Sequence, residues 1–264
     1  MAQKGYGQYC PLALAAELLC ERWTLLVMSR LIDGCRRFNE IHRGVPKISP
    51  TLLKQRLEQL EHAGLCERVA LPDGRGHEYR PTEAGQELDP IIMNLAAWGQ
   101  RWSRDLESDD LDPAFLAWSM HTRIKVDAMP ADRTVLEFTF SGTVKGLHRF
   151  WLVVENGQVN MCLKHPGYDS DLVIRSDIRR FVEAWRGFRD MRREIAGGHI
   201  LVEGREKHRR ALPDWLMLSA LSPFERMRPG RERTLYEKTG VLAGTVSAEQ
   251  ALTERQMKKA GNAK

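Results

Sequence analysis

Within residues 47–65, KISPTLLKQRLEQLEHAGL, both ends of a helix are written into the sequence. The Ser49 hydroxyl can accept from the first unpaired N–H groups of a helix. Pro50 costs nothing at the first helical position, where its missing N–H has no intrahelical partner, and Gly64 supplies the left-handed residue that stops the helix. Leu53, Leu57 and Leu60 recur at i, i+4 and i+7 and bury one face, which leaves Thr51, Lys54, Gln55 and Glu58 outward near the opposite side.

The surroundings of this helix give it a use. Helical patterns over residues 11–19, 23–32 and 38–43 precede it, and a long one over residues 82–106 follows. In between, extended runs at residues 66–71 and 77–80 flank Pro72-Asp73-Gly74-Arg75-Gly76, the pattern of a β-hairpin about a glycine-rich turn. Helix, short turn, capped helix and hairpin in that order predict a winged helix-turn-helix. The N-terminal residues of a recognition helix read base edges while flanking cations hold phosphates. Thr51 and Gln55 are therefore the expected base-edge residues. Lys47, Ser49, Lys54 and Arg56 are the expected phosphate contacts, with Arg36 and Arg37 ahead of the third helix and Arg75 at the hairpin tip. Trp23, Leu25, Leu26 and Leu31 are assigned to the core by their helical spacing, and Leu95, Trp98, Trp102 and Leu106 form a seam suited to pairing with a second copy.

These residues also resemble a known family. Cys10-Pro11, Glu21-Arg22-Trp23-Thr24-Leu25-Leu26, Arg37-Phe38-Asn39-Glu40-Ile41, Ile48-Ser49-Pro50, Leu53-Lys54-Gln55-Arg56-Leu57, Leu60-Glu61-His62-Ala63-Gly64-Leu65 and Tyr79-Arg80-Pro81-Thr82-Glu83-Ala84-Gly85 together look like the HxlR-type winged-helix regulators, over about the first 100 residues. The resemblance implies a homodimer whose terminal helices pair, with the capped helix in the major groove and the hairpin lying along the DNA backbone. Two segments depart from the family pattern: Cys20-Glu21-Arg22 stands where a Gly-Lys pair is usual before Trp23, and the hairpin tip is unusually rich in glycine. Cys10, at the mouth of the first helix, matches the position used by some thiol-responsive relatives.

The 264-residue chain is too long for this module alone. An acidic stretch ending in Pro113 separates it from a region of β-branched alternation, so the expected division is a DNA-binding and dimerisation domain over residues 1–107, a second domain over residues 113–221 and a C-terminal extension, partly disordered, over residues 222–264. In the second domain, strands are expected over residues 135–140, 150–154, 159–163, 172–174 and 200–202, with Asn156-Gly157 as a hairpin turn, and helices over residues 177–185, 188–195 and 209–221. The overall class is α+β.

That element order, with Leu172-Val173-Ile174-Arg175-Ser176-Asp177, the helix bearing Phe181 and Trp185, and Gly197-Gly198-His199-Ile200-Leu201-Val202-Glu203-Gly204, resembles the sterol-carrier-protein-like lipid-binding domains. The resemblance implies a five-stranded sheet covered by helices around an apolar tunnel for an acyl or sterol-like ligand. The large apolar residues available to line it are Phe138, Phe140, Trp151, Met161, Phe181, Trp185, Phe188 and Met191. Arg186, Arg189, Arg192 and Arg193 either meet an acidic head group or phosphate, or form a solvated face.

Other function classes find little support. The chain has no G-x-S-x-G, P-loop or H-E-x-x-H pattern, so it is not expected to be an enzyme or to need a cofactor. Its five cysteines lack zinc spacing, and the histidines of the second domain are scattered, so no metal is expected. No apolar run approaches the ~18 residues of a membrane span, and Met1 to Cys10 lacks the order of a secretory signal, which gives a cytoplasmic expectation. The net charge of +5 permits a polyanionic partner without requiring one. The expected function is a homodimeric DNA-binding regulator with an apolar or acyl effector. The alternatives are a thiol sensor using Cys10 and a lipid carrier whose winged helix mediates protein contacts.

Overall fold

A computed structural model describes residues 5–72, 74–144 and 146–228. The chain divides into two compact units after Asn94. Of the expected C-terminal extension, residues 229–264 lie outside the described residues. Among the described residues no helix is long and apolar enough to cross a membrane.

The first unit begins with helices α1 (Pro11–Leu19), α2 (Thr24–Ile32), α3 (Phe38–Gly44) and α4 (Pro50–His62), continues through strands β1 (Cys66–Ala70) and β2 (His77–Pro81), and runs into α5 (Glu83–Trp102). Val27, Met28, Leu31, Ile41, Leu53, Leu57 and Leu60 are wholly buried and form its core. The expected burial of residues around Trp23 is corrected here. Leu31 is enclosed, Trp23 and Leu25 are half-buried, and Leu26 is exposed. Trp23 takes a left-handed backbone (φ 80°) at the start of α2, with the Arg22 guanidinium 5.0 Å from its ring centroid.

Two glycines set the connection from α4 to α5. Gly64 (φ +70°) ends α4 in the left-handed region that favours glycine. Thr82 then ties the start of α5 to that turn, because its hydroxyl donates to the Gly64 carbonyl at 2.6 Å and its N–H to the Leu65 carbonyl at 3.1 Å. At Gly85 a Cβ would stand 2.1 Å from the Leu65 carbonyl oxygen, so only glycine permits this approach. Helix α5 ends at Trp102, earlier than expected, and Leu106 is no part of a helical seam; it packs half-buried against the core of the second unit.

The division after Asn94 falls inside α5, before the expected domain boundary, and the buried Gln100 side chain already belongs to the second unit through its hydrogen bonds with Arg186. This unit continues with α6 (Pro113–His121), β3 (Thr134–Ser141), β4 (Arg149–Glu155), β5 (Gln158–Cys162), β6 (Leu172–Asp177), α7 (Ile178–Trp185), α8 (Met191–Ala196), β7 (Ile200–Gly204) and α9 (Glu206–Trp215). The five strands form one sheet in the order β5-β4-β3-β6-β7, antiparallel except for the central β3/β6 pair, where Leu136 lies opposite Leu172. Asn156 and Gly157 (φ 51° and 74°) make the two-residue hairpin turn between β4 and β5, both in the left-handed region such a turn requires.

Alternation along the strands gives the sheet two distinct faces. Leu136, Phe138, Phe140, Phe150, Leu152 and Ile174 meet apolar side chains of α6, α7 and α9 in the main core. The other face carries a small cluster of Val135, Trp151 and Val153. The last helix, expected over residues 209–221, lies earlier, at Glu206–Trp215, because Arg205 already starts the turn.

Candidate nucleic-acid interface

Local chemistry fixes the starts of α3 and α4. Ser49 caps α4 by accepting from the Leu52 N–H at 3.3 Å, and Pro50 follows at the first helical position. At the start of α3 the Glu40 carboxylate accepts from the backbone N–H groups of Arg36 (2.9 Å) and Arg37 (3.0 Å), which satisfies donors a helix start would leave unpaired.

With Leu53, Leu57 and Leu60 buried beneath it, α4 presents Thr51, Lys54, Gln55 and Glu58 to solvent. Lys54 pairs with Glu58 at 3.7 Å, and both side chains are more than half exposed, so a stronger anion displaces that contact at little cost. Lys47, Ser49 and Arg75 are also exposed. Arg37, at the head of α3, reaches Glu78 on β2 at 3.7 Å, and Glu78 pairs with Arg80 at 3.0 Å as well.

Arg56 is a correction. It is only 8% exposed and does not reach the outward face. Its Nε donates to the Arg22 carbonyl at 2.8 Å, and its second guanidinium nitrogen pairs with Glu21 at 2.8 Å. The Cys20-Glu21-Arg22 segment, which departs from the family pattern, thus supplies the acid and the carbonyl that hold α4 to the start of α2. Arg36 is likewise committed within the fold, its guanidinium donating to the carbonyls of Leu31 (2.8 Å) and Cys35 (3.2 Å) at the end of α2.

An open groove of about 360 Å³ runs beside α4, with Pro50, Thr51, Lys54 and Glu58 on one wall and Phe38, Arg68 and Tyr79 on the other. Arg68 and Tyr79 are direct cross-strand partners in the hairpin, and neither is among the residues expected from the sequence. Their signal was the hairpin register, which places residues 68 and 79 opposite one another once the two-strand pairing is drawn. A second groove, along the other edge of α4, joins Gln55 and Gln59 to Glu17, Glu21 and Glu58. That acidic setting disfavours phosphate and suits Gln55 to an uncharged partner.

The thiols differ in access. Cys10 and Cys20 are exposed, whereas Cys35 and Cys66 are buried. Burial pushes the Cys35 thiol up to about 12 and the Cys66 thiol up to about 11, so both stay protonated at neutral pH.

In the second unit Phe138, Phe140 and Phe181 come together with Phe150, their ring centroids 4.9–5.8 Å apart. Trp185 and Met191 belong to the same core, and Met161 packs against it half-buried. Phe188 is buried beneath the Arg186 guanidinium, 4.7 Å from its ring centroid. Trp151 stands apart from the expected ligand-lining set, because the alternation of β4 sends it to the opposite face, where its indole N–H donates to Glu137 at 3.3 Å.

Comparison with known proteins places the first unit. Residues 18–107 match the HxlR-like helix-turn-helix family. YvaP of Bacillus subtilis, an uncharacterised HTH-type transcriptional regulator, is 32% identical over 112 residues, which make up 42% of this chain and 96% of YvaP. The HTH-type transcriptional regulator YodB of the same organism is 36% identical over 95 residues, 35% of this chain and 85% of YodB. An uncharacterised HTH-type regulator of Mycobacterium tuberculosis is 44% identical over 91 residues, 33% of this chain and 56% of that protein. Among solved structures, the reduced form of YodB matches at 36% identity with a TM-score of 0.32, covering 35% of this chain and 93% of that one. The family match spans the capped helix, the hairpin and the helices that hold them, and two relatives above 30% identity are covered over most of their length. The chain therefore belongs to the HxlR-like helix-turn-helix family of DNA-binding transcriptional regulators.

Proposed function

We propose that the chain acts as a homodimer that reads an operator with α4 and contacts the flanking backbone with its hairpin. The observation that carries this reading is the division of α4 into a leucine face that is wholly buried and a polar face, Thr51, Lys54 and Gln55, left to solvent beside an open groove. Thr51 and Gln55 contact base edges. Lys47, Lys54, Arg37 and Arg75 hold phosphates, and Ser49, whose oxygen caps the helix, still has its hydroxyl proton to donate. Replacing Gln55 by Ala should lower affinity for the cognate duplex by ~1–3 kcal/mol more than for a scrambled one, whereas Arg37→Ala should weaken both alike. Equal losses on the two duplexes for the Gln55 variant would remove it from the reading face.

The homodimer reading rests on α5, where Ile91, Leu95, Trp98 and Trp102 are exposed at i, i+4, i+7 and i+11, an apolar stripe on one side of the helix. For residues 113–221 of the second unit, we infer a sterol-carrier-like domain that takes an apolar or acyl effector. Its five-stranded sheet, covered on one face by helices and rich in large apolar side chains, supports that reading. Native mass measurement of the purified chain tests both inferences: a monomer mass argues against the first, and no mass shift after incubation with fatty acids of several chain lengths argues against the second. A thiol-sensing version centres on Cys10, exposed in the position just before α1.

A further inference from the structure

Among the described residues, the second unit carries positive charge on α8 and α9 that no ion pair with an acid neutralises. Helices α8 and α9 both pack on the edge strand β7, and an Arg192–Asp214 ion pair at 2.6 Å joins them. Lys207 and Arg210 stand on the side of α9 that bears Asp214, at i, i+3 and i+7, so they continue the surface begun by Arg192 and Arg193 on α8. Arg205, at the cap before α9, and Arg209, four residues on, border the helix on its other exposed side. All six of these cations are exposed.

The acids of this region are already engaged. Asp214 holds Arg192, Glu206 holds Arg210, Glu203 holds Arg175, and the buried Glu194 holds Arg180 and Arg189. Arg193, Arg205, Lys207 and Arg209 therefore form no ion pair with an acid among the described residues. The fold does not need these four charges: His208, Leu212 and Trp215 make the inward face of α9, with His208 packed on the Trp215 ring at 5.5 Å.

We propose that this rim of α8, β7 and α9 is a second DNA-contacting surface, which binds the phosphate backbone of duplex flanking the operator. The inference rests on the operator-binding function given above. It is argued from charge complementarity and from the covalent link, because a chain whose first unit is on DNA holds its second unit at high local concentration near the same polyanion. Flexible arginine and lysine side chains on exposed helices suit backbone contacts, which carry no sequence information, so the surface adds affinity and salt dependence without altering operator choice.

The test uses the full chain and two duplexes, a minimal operator and the same operator extended by about one helical turn (~10 bp) on each side. Salt titration of the combined Arg193→Gln, Lys207→Gln, Arg209→Gln variant should give an unchanged slope of log affinity against log salt on the short duplex. On the long duplex the slope should become shallower by about 0.9 for each phosphate that the variant no longer neutralises, up to ~3 in total. The charge-preserving R193K/R209K variant should behave as the parent, and matching thermal melts exclude misfolding as the cause. Identical long-duplex slopes for parent and triple variant would overturn the proposal. So would a result in which the three substitutions abolish binding to phosphatidylglycerol vesicles and leave both duplex titrations unchanged, which would assign the surface to a membrane. Parental binding to the short duplex tests operator recognition separately, so failure of either claim is distinguishable.

Discussion

Removing the Arg56 guanidinium should weaken the fold and leave the DNA contact intact. Arg56→Ala strips the Arg22 carbonyl and Glu21 of their shared donor. Breaking a fully buried ion pair costs ~3–5 kcal/mol, and because Glu21 remains 22% exposed, about 2–3 kcal/mol is expected in urea unfolding. The salt slope of DNA binding should stay as in the parent; a slope shallower by about one, with unchanged stability, would restore Arg56 to the phosphate contacts. The spacing held this information: Leu53, Arg56, Leu57 and Leu60 fall at i, i+3, i+4 and i+7, so Arg56 shares the leucine face. What the sequence concealed was its partner, since Glu21 lies 35 residues away and only the packing of α2 on α4 brings the two together. The thiols offer a second check at this scale. Alkylation at pH 8 should label Cys10 and Cys20 and spare Cys35 and Cys66, whose raised values keep them protonated until the solution approaches pH 11 to 12. By linkage, the protonated buried thiols support the fold fully below the ordinary thiol value, near 9, and that support is lost as pH rises toward their folded values. Labelling of Cys66 in the folded protein at the rate of Cys10 would contradict its burial.

Elements with a clear period and explicit end signals are legible in the sequence itself. Helix α4, with Ser49, Pro50 and Gly64, and the β4–β5 hairpin, with Asn156-Gly157, lie where their residues place them. Helix α6 was not legible. Leu116, Ala117, Trp118 and Met120 are all buried, so its run PAFLAWSMH lacks the polar face that makes a helix readable from period alone. The shortened α5 has a similar origin, because Leu106 continues the apolar spacing although the helix has ended and the residue packs elsewhere. What remains of the α5 stripe is a test of pairing. Trp102→Asp should convert the proposed dimer to monomer in sedimentation and weaken operator binding, because the second half-site contact would no longer be tethered to the first. A folded variant that sediments with its parent's dimer mass would place the pairing surface on other residues.

At the scale of the whole molecule, two units with separate cores share one chain, and the proposed regulation requires that an effector in the second favour one DNA-binding state of the first. A coupling of ~1–3 kcal/mol is typical, and linkage requires that operator DNA change effector affinity by the same factor. The rings of Phe138, Phe140, Phe150 and Phe181 pack on one another on the helix-covered face of the sheet, so an acyl ligand that enters there has to displace rings already in contact. The proposed recognition of DNA by α4 comes before any of this coupling. Its most direct test is the affinity of the full chain for a duplex selected from a random pool, titrated from about 50 to 200 mM salt beside the Lys54→Ala and Gln55→Ala variants. The expected result is a steep negative slope for the parent, shallower by about 0.9 for Lys54→Ala, and a loss of preference over scrambled duplex of ~1–3 kcal/mol for Gln55→Ala. A flat salt dependence, or affinity and preference unchanged in both variants, would contradict recognition through this helix.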